Sequence, residues 1–234
     1  MTGEPGDPFP AQETKRVTVA RRRSGQVTRD QDLVAVEEPL EIRVTTESAG
    51  QRECHSVAVT MRTPGEDFAL AAGFLFSEGV VDQASQIWRI EHCQQVDKEA
   101  EGNVIDVHLA PSVEFDSDEL SRRVLTSSAC GVCGRTSIEA VHRICSQRPR
   151  GDFRLDVGTL MGLTGLLESK QPVFTRTGGL HAAALFDPRG QLLDLREDVG
   201  RHNALDKLIG RRLLAGEVPL SQRLALVSGR LSFE

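Results

Sequence analysis

Apolar positions along the chain repeat with two different periods. Leu40, Ile42 and Val44 alternate with polar neighbours, and so do Val57, Val59 and Met61. A period of two places one face of a strand in a core. Val17-Thr18-Val19 and Leu33-Val34-Ala35-Val36 predict shorter strands. Pro64-Gly65 then reads as a turn, and the acidic pair Glu66-Asp67 opens a helix, where negative charge is favoured. Phe68, Leu70, Ala71, Ala72, Phe74, Leu75 and Phe76 form the broad apolar side of that helix, and Gly79 is its expected C-terminal cap. Residues 87–93 and 103–109 predict the two strands of a hairpin.

The polar stretch Pro111–Asp118 marks a boundary. Beyond it, helices are predicted over 118–125, over 135–146 and around Leu160, Leu163 and Leu167. Ala182–Phe186 and Gln191–Leu195 read as paired strands around the turn Asp187-Pro188-Arg189-Gly190. A helix is expected from Glu197-Asp198 to about Leu214, then a strand over Leu224–Val227. The expected organisation is a disordered tail over 1–14, an α+β unit over 15–113 and an α/β layer over 114–234. Such a layer seldom finishes on a bare strand and turn, so it is expected to continue past Glu234.

Composition narrows the class. A hydrophobic content of 39% and a charged content of 26% fit a globular protein, and no apolar run is long enough to span a bilayer. The formal net charge of −6 argues against general nucleic-acid binding. The basic run Arg21–Arg23 reads as a solvated turn or strand end. The N-terminus has neither a basic start nor an apolar core, so it is not a secretory signal, and a cytoplasmic protein is expected. Five cysteines, Cys54, Cys93, Cys130, Cys133 and Cys145, are odd in number and unevenly spaced, which speaks against a disulfide framework. Cys54 and Cys93 are expected to be packing residues, and His55 and His92 surface or internally satisfied groups.

Two stretches carry candidate chemistry. In Thr126–Ser137, Cys130 and Cys133 sit two residues apart, and Gly131 and Gly134 follow them. This reads as a small-residue loop delivering two thiols to the start of an amphipathic helix, whose partial positive charge, with Arg135, favours the nucleophilic thiolate. Such a pair can bind zinc, exchange disulfides, carry sulfur as a persulfide, or fill a core. In Glu197–Lys207, Asp198, His202 and Asp206 fall four apart, with Arg201, Asn203 and Lys207 nearby. A solvated helix face explains that spacing. A helix start rich in Arg, His and Asn also suits an anionic ligand, and Gly200 in the first turn hints at a close contact. Gly178, Gly179 and His181 are a candidate second wall of such a pocket.

Five segments together resemble the FdhD/NarQ family, the accessory sulfurtransferases for formate dehydrogenase. They are Glu38–Ile42; Met61–Phe68 with Ala72–Leu75; Ser127–Gly134; Thr177–Ala183; and Glu197–Lys207. The resemblance implies a small α+β domain plus a three-layer α/β domain similar to cytidine deaminases, usually in a dimer. It also implies a sulfurtransferase. A cysteine desulfurase would load sulfur onto Cys130 as a persulfide, with Cys133 assisting. The sulfur would pass to the molybdenum (or tungsten) bis(molybdopterin guanine dinucleotide) cofactor before that cofactor enters formate dehydrogenase. Gly178, Gly179, His181, Arg201, His202 and Asn203 are the expected cofactor-binding residues, with no metal ligand, nucleic acid or membrane partner. The rivals fit less well. A zinc deaminase needs His-x-Glu upstream of Pro-Cys-x-x-Cys, whereas Ala129 precedes Cys130. Structural zinc on Cys130, Cys133, His142 and Cys145 would draw ligands from an apolar helix face. A thioredoxin-like exchanger needs a strand before the motif, and a chaperone that merely holds the cofactor needs no cysteine.

Overall fold

The computed structural model describes residues 12–48, 51–117, 120 and 151–230. Cys130, Cys133, His142 and Cys145, and the helix expected over 135–146, lie outside the described residues. Nine strands and four helices are used below: β1 (Thr14–Arg23), β2 (Gln26–Ala35), β3 (Glu38–Ser48), β4 (Gln51–Arg62), α1 (Asp67–Ser77), β5 (Ile87–His92), β6 (Val104–Leu109), α2 (Val157–Ser169), α3 (Pro172–Thr177), β7 (His181–Phe186), β8 (Leu192–Asp198), α4 (Arg201–Leu214) and β9 (Leu224–Val227).

The alternation at 40, 42 and 44 does what a period of two requires. Leu40, Ile42 and Val44 are fully buried on β3, the second strand of a four-stranded sheet ordered β4-β3-β6-β5. β3 pairs with β6 in parallel, and the other pairings are antiparallel. Ile105 and Val107 of β6 extend the same apolar face, and Leu70, Ala71, Ala72 and Leu75 of α1 cover it. Gly79 follows the helix with φ 71°, the left-handed residue expected there. At the other end Asp67 opens α1 but is itself buried in a bidentate pair. Arg62 Nε and Nη2 donate to its two carboxylate oxygens at 3.0 and 2.8 Å.

The second sheet is ordered β8-β7-β9 and is antiparallel throughout its described part, with β7 and β8 paired around the expected turn. It is the middle of three layers. Ala182, Ala184 and Phe186 of β7 pack on Leu163 and Leu167 of α2. Ala183 and Leu185 point the other way, onto Ala204 and Leu208 of α4. The β7–β8 turn falls where expected, with Asp187 Oδ1 accepting the N–H groups of Arg189 and Gln191.

Three expectations fail locally. The helix expected from Glu197 begins only at Arg201, because Glu197 and Asp198 remain in the β7 ladder opposite Ala182 and His181. Gly200 is therefore the extended N-cap (φ −92°), not a helical glycine, and carries no propensity cost. Cys54 is exposed and Cys93 only half-buried, so neither is a core packing residue. The pair Val17/Val19 and residues 33–35 lie within a single ten-pair ribbon of β1 and β2, whose charged outer half has no apolar rhythm to announce it.

The two halves are clamped by helix on helix. α1 crosses α4 with Gly73 against the Asp206 carbonyl and Gly210 against the Ala69 carbonyl, so near that a Cβ at either glycine would overlap backbone. Leu213 of α4 enters the core of the first sheet. Neither backbone can yield without moving a whole helix. Gly210→Ala is thus expected to cost at least ~3 kcal/mol, the upper part of the overpacking range, as a lowered urea midpoint with an unchanged m value. Gly165→Ala, whose Cβ meets nothing within 4 Å, serves as the control.

Candidate functional site

The start of α4 is built around one carboxylate. Asp198 closes β8 and is fully buried. Its Oδ1 accepts from Gly200 N at 2.8 Å and from Asn203 Nδ2 at 3.0 Å. Its Oδ2 accepts from Thr63 N at 3.1 Å and meets Lys207 Nζ at 2.7 Å. Lys207 also donates to Thr63 O at 2.8 Å, and Val199 N to Thr63 Oγ1 at 3.2 Å. Asn203 reaches past Asp198 to donate to Met61 O at 2.8 Å. The strand end 60–63 and the helix start 198–207 are thereby interlocked. This geometry accounts for two of the five segments. Thr63, Asp198, Asn203 and Lys207 are conformational locks, whereas sequence spacing had placed Asp198 on an open helix face with Asn203 and Lys207 nearby. Asp206, from the same expected face, accepts from Ser77 Oγ at 2.7 Å on α1.

What the lock leaves facing outward is Arg201 and His202, both partly exposed. Across from Arg201 lies the turn after β9. A Cβ on Gly229 would sit 3.3 Å from Arg201 Cδ and 3.5 Å from His181 Nδ1, so Gly229 sits between these two candidates. Ser228 Oγ accepts from Ala182 N at 2.8 Å and lies 3.3 Å from His181 Nδ1, while Ser228 N donates to Ala182 O at 2.9 Å. The structure therefore brings together His181, Arg201, Ser228 and Gly229 at the N-terminus of a fourteen-residue helix. A guanidinium, an imidazole that can donate a hydrogen bond and the positive end of a helix dipole make a local setting for an anion.

The other expected residues have local tasks. Gly178 takes φ 68° as the C-cap of α3, a conformation that glycine adopts without strain. Gly179 packs beside Ala35 of β2, and Leu180 is buried, which delivers His181 to the start of β7. Asn203 spends its amide on the interlock. Ser228 and Gly229 were missed as site residues. Only their place after the strand Leu224–Val227, where a turn returns to the sheet end, could have pointed to them. No group of three or more His, Cys, Asp or Glu side chains suited to a metal occurs among the described residues.

Glu197, next to this site, accepts the N–H groups of Val173 (3.1 Å) and Phe174 (2.8 Å) and so closes the N-terminus of α3. Burial pushes its carboxyl up from the ordinary 4.5, against the pull of those two N–H donors. The folded state then binds more protons than the unfolded chain between 4.5 and the raised value, so this group's contribution to stability falls as pH rises through that window. Glu197→Gln should flatten that part of the pH profile, read as urea midpoints from pH 4 to 8; an unchanged slope would refute it.

Residues 35–234 match the FdhD/NarQ family. The chain belongs to that family. It is 49% identical over 226 residues to a sulfur carrier protein FdhD of Streptomyces avermitilis, a match covering 94% of this chain and 77% of the relative. The FdhD proteins of Mycobacterium bovis and Saccharolobus solfataricus are 44% and 40% identical, covering 92% and 94% of this chain and 79% and 77% of theirs. In fold the chain is similar to a formate dehydrogenase accessory protein from Desulfotalea psychrophila, with a TM-score of 0.66 at 23% identity over 94% of this chain and 76% of that one. Among the described residues no helix is long and apolar enough to cross a membrane.

Proposed function

We propose that this FdhD/NarQ chain is a sulfurtransferase that carries sulfur on Cys130. The observation behind it is 49% identity over 226 residues to a protein named as a sulfur carrier, together with the Cys130-Gly131-Val132-Cys133 pair. The Cys130 thiolate attacks the terminal sulfur of a persulfide on a cysteine desulfurase. A new S–S bond forms at Cys130, the donor's S–S bond breaks, and the donor leaves as a thiolate. Onward delivery to the molybdenum bis(molybdopterin guanine dinucleotide) cofactor of formate dehydrogenase, in the cytoplasm, releases the sulfur at the sulfide level. The Cys133 thiolate attacks the Cys130 sulfur, the Cys130–Cys133 S–S bond forms, the persulfide S–S bond breaks, and hydrosulfide leaves for the cofactor, the two cysteines supplying the two electrons.

In this reading the nucleotide phosphates of the cofactor rest at the start of α4. Arg201 supplies the fixed charge, His181 a second donor, and Gly229 the close approach. His202 lies one residue further along the same helix end. Guanosine diphosphate is the simplest probe. Arg201→Ala should weaken its binding by ~10-fold or more, about the worth of a charge-assisted hydrogen bond, in a titration calorimeter. Unchanged affinity would remove this site from the proposal while leaving the cysteine chemistry intact.

A further inference from the structure

The ladder between β7 and β9 pairs Ala183 with Val227 at its end. One step further, Ser228 N donates to Ala182 O at 2.9 Å, as an antiparallel pair requires. The return bond goes to a side chain. Ala182 N donates to Ser228 Oγ at 2.8 Å. A serine hydroxyl thus stands in for one rung of the sheet, and the backbone of β7 pins its oxygen. That pinned oxygen lies 3.3 Å from His181 Nδ1.

A hydroxyl has one hydrogen to give and two lone pairs to accept with. One lone pair of Ser228 Oγ is taken by the Ala182 N–H, and its hydrogen has His181 Nδ1 within reach. Ala182 N–H, Ser228 O–H and Nδ1 then form a chain of bonds running one way, in which each bond polarises the next. A ring protonated on Nδ1 would instead bring a second N–H onto the same oxygen and turn the hydroxyl hydrogen out to solvent, without that gain. The strand on the other side of β7 offers the ring no better acceptor. His181 stands opposite Asp198, but each oxygen of that carboxylate already meets two donors, Gly200 N and Asn203 Nδ2 on one and Thr63 N and Lys207 Nζ on the other.

With Nδ1 committed as an acceptor, the neutral ring carries its proton on Nε2. The ring is partly exposed, and Gly229 sits between it and Arg201. A fixed N–H donor there suits an acceptor oxygen and not a metal ion, which needs a bare nitrogen. We infer that Ser228 is a positioning residue: it holds His181 as the Nε2–H tautomer and so presents a donor to a phosphate oxygen at the start of α4. The tautomer stands on the geometry of β7 and the turn after β9; the ligand that it serves rests on the nucleotide reading above.

Long-range proton–nitrogen correlation spectra of the full chain, labelled at histidine and assigned with His181→Ala, read the tautomer directly. At about pH 8, where imidazoles are neutral, the wild type should show a proton on Nε2 of His181 and a bare Nδ1. Ser228→Ala should move the Nδ1 resonance toward that of an unbonded ring nitrogen, and Ser228→Thr, which keeps the hydroxyl, should restore it. A wild-type ring protonated on Nδ1, or an Nδ1 resonance indifferent to Ser228→Ala, would overturn the inference. Titration with guanosine diphosphate reads the consequence. Ser228→Ala should weaken binding ~5-fold, the size of one neutral hydrogen bond lost. In a His181→Ala background the same change should cost less than ~2-fold, because Ser228 acts through that ring. Equal losses in both backgrounds would overturn the positioning role. A wild type that shows the expected spectra but binds no guanosine diphosphate would remove the nucleotide reading and leave Ser228 setting the tautomer alone.

Discussion

Asp198→Ala is expected to lower the unfolding free energy by about 3–5 kcal/mol, the range for leaving one member of a buried ion pair uncompensated. The cost has three sources. Lys207 loses the anion at 2.7 Å and is left buried with only the Thr63 carbonyl. The N–H groups of Thr63 and Gly200 lose their acceptors, and Asn203 loses one of the bonds that fix its amide. The interlock between 60–63 and 198–207 then opens at both ends. Asp198→Asn keeps the shape and one acceptor, and should fall between wild type and Ala. Equilibrium urea unfolding decides: a loss under ~1 kcal/mol for Asp198→Ala would mean that water replaces the lock. The double variant Asp198→Ala/Lys207→Met should recover part of the loss, because it removes the stranded charge along with its partner.

Cys130→Ala should abolish formate dehydrogenase activity in cells that depend on this chain, a loss of at least ~100-fold. The nucleophile is removed, and no neighbouring group in the proposal substitutes for it. Cys133→Ala should retain a measurable fraction, since Cys133 assists rather than carries. Cys54→Ala and Cys93→Ala should be close to wild type, because Cys54 lies on β4, Cys93 follows the end of β5, and neither takes part in the exchange. Burial pushes the Cys93 thiol up, and the Asp106 carboxylate beside it acts in the same sense, which keeps it protonated and a poor sulfur acceptor. Full activity of Cys130→Ala would replace the carrier by a chaperone that merely holds the cofactor.

Much of the fold was legible because burial imposes a period. β3, α1, β6, α2, β7 and β9 each carry an apolar face against a core, and their positions follow from that alone. β4 has the same alternation without the burial: Val57 is buried, but Val59 and Met61 are 68% and 50% exposed. The ribbon was only partly legible because its outer half is buried on neither face. α3 was missed for a different reason: six residues give fewer than two turns, too few for a pattern, and Pro172 at its first position was the only start signal. The α4 start was misplaced because Asp198 has the residue type of a helix opening, whereas tertiary bonds to Thr63 and Lys207 hold it at a strand end. For the candidate site, Arg201, His202 and His181 stood out by type, and Arg201 and His181 do converge. Their convergence through Ser228 and Gly229 depends on the pairing of β7 with β9, which no local pattern encodes. The bonds of the Asn203 amide to Asp198 and to the Met61 carbonyl were equally illegible, because they span the contact between 60–63 and 198–207.

The central claim is that Cys130 carries sulfur. Intact-mass spectrometry of the purified chain, after incubation with a cysteine desulfurase and cysteine, tests it most directly. The account predicts a gain of one sulfur atom that reductant removes, that Cys130→Ala abolishes and that Cys133→Ala retains. A folded, reduced chain that gains no sulfur, or a gain that survives in Cys130→Ala, would contradict it.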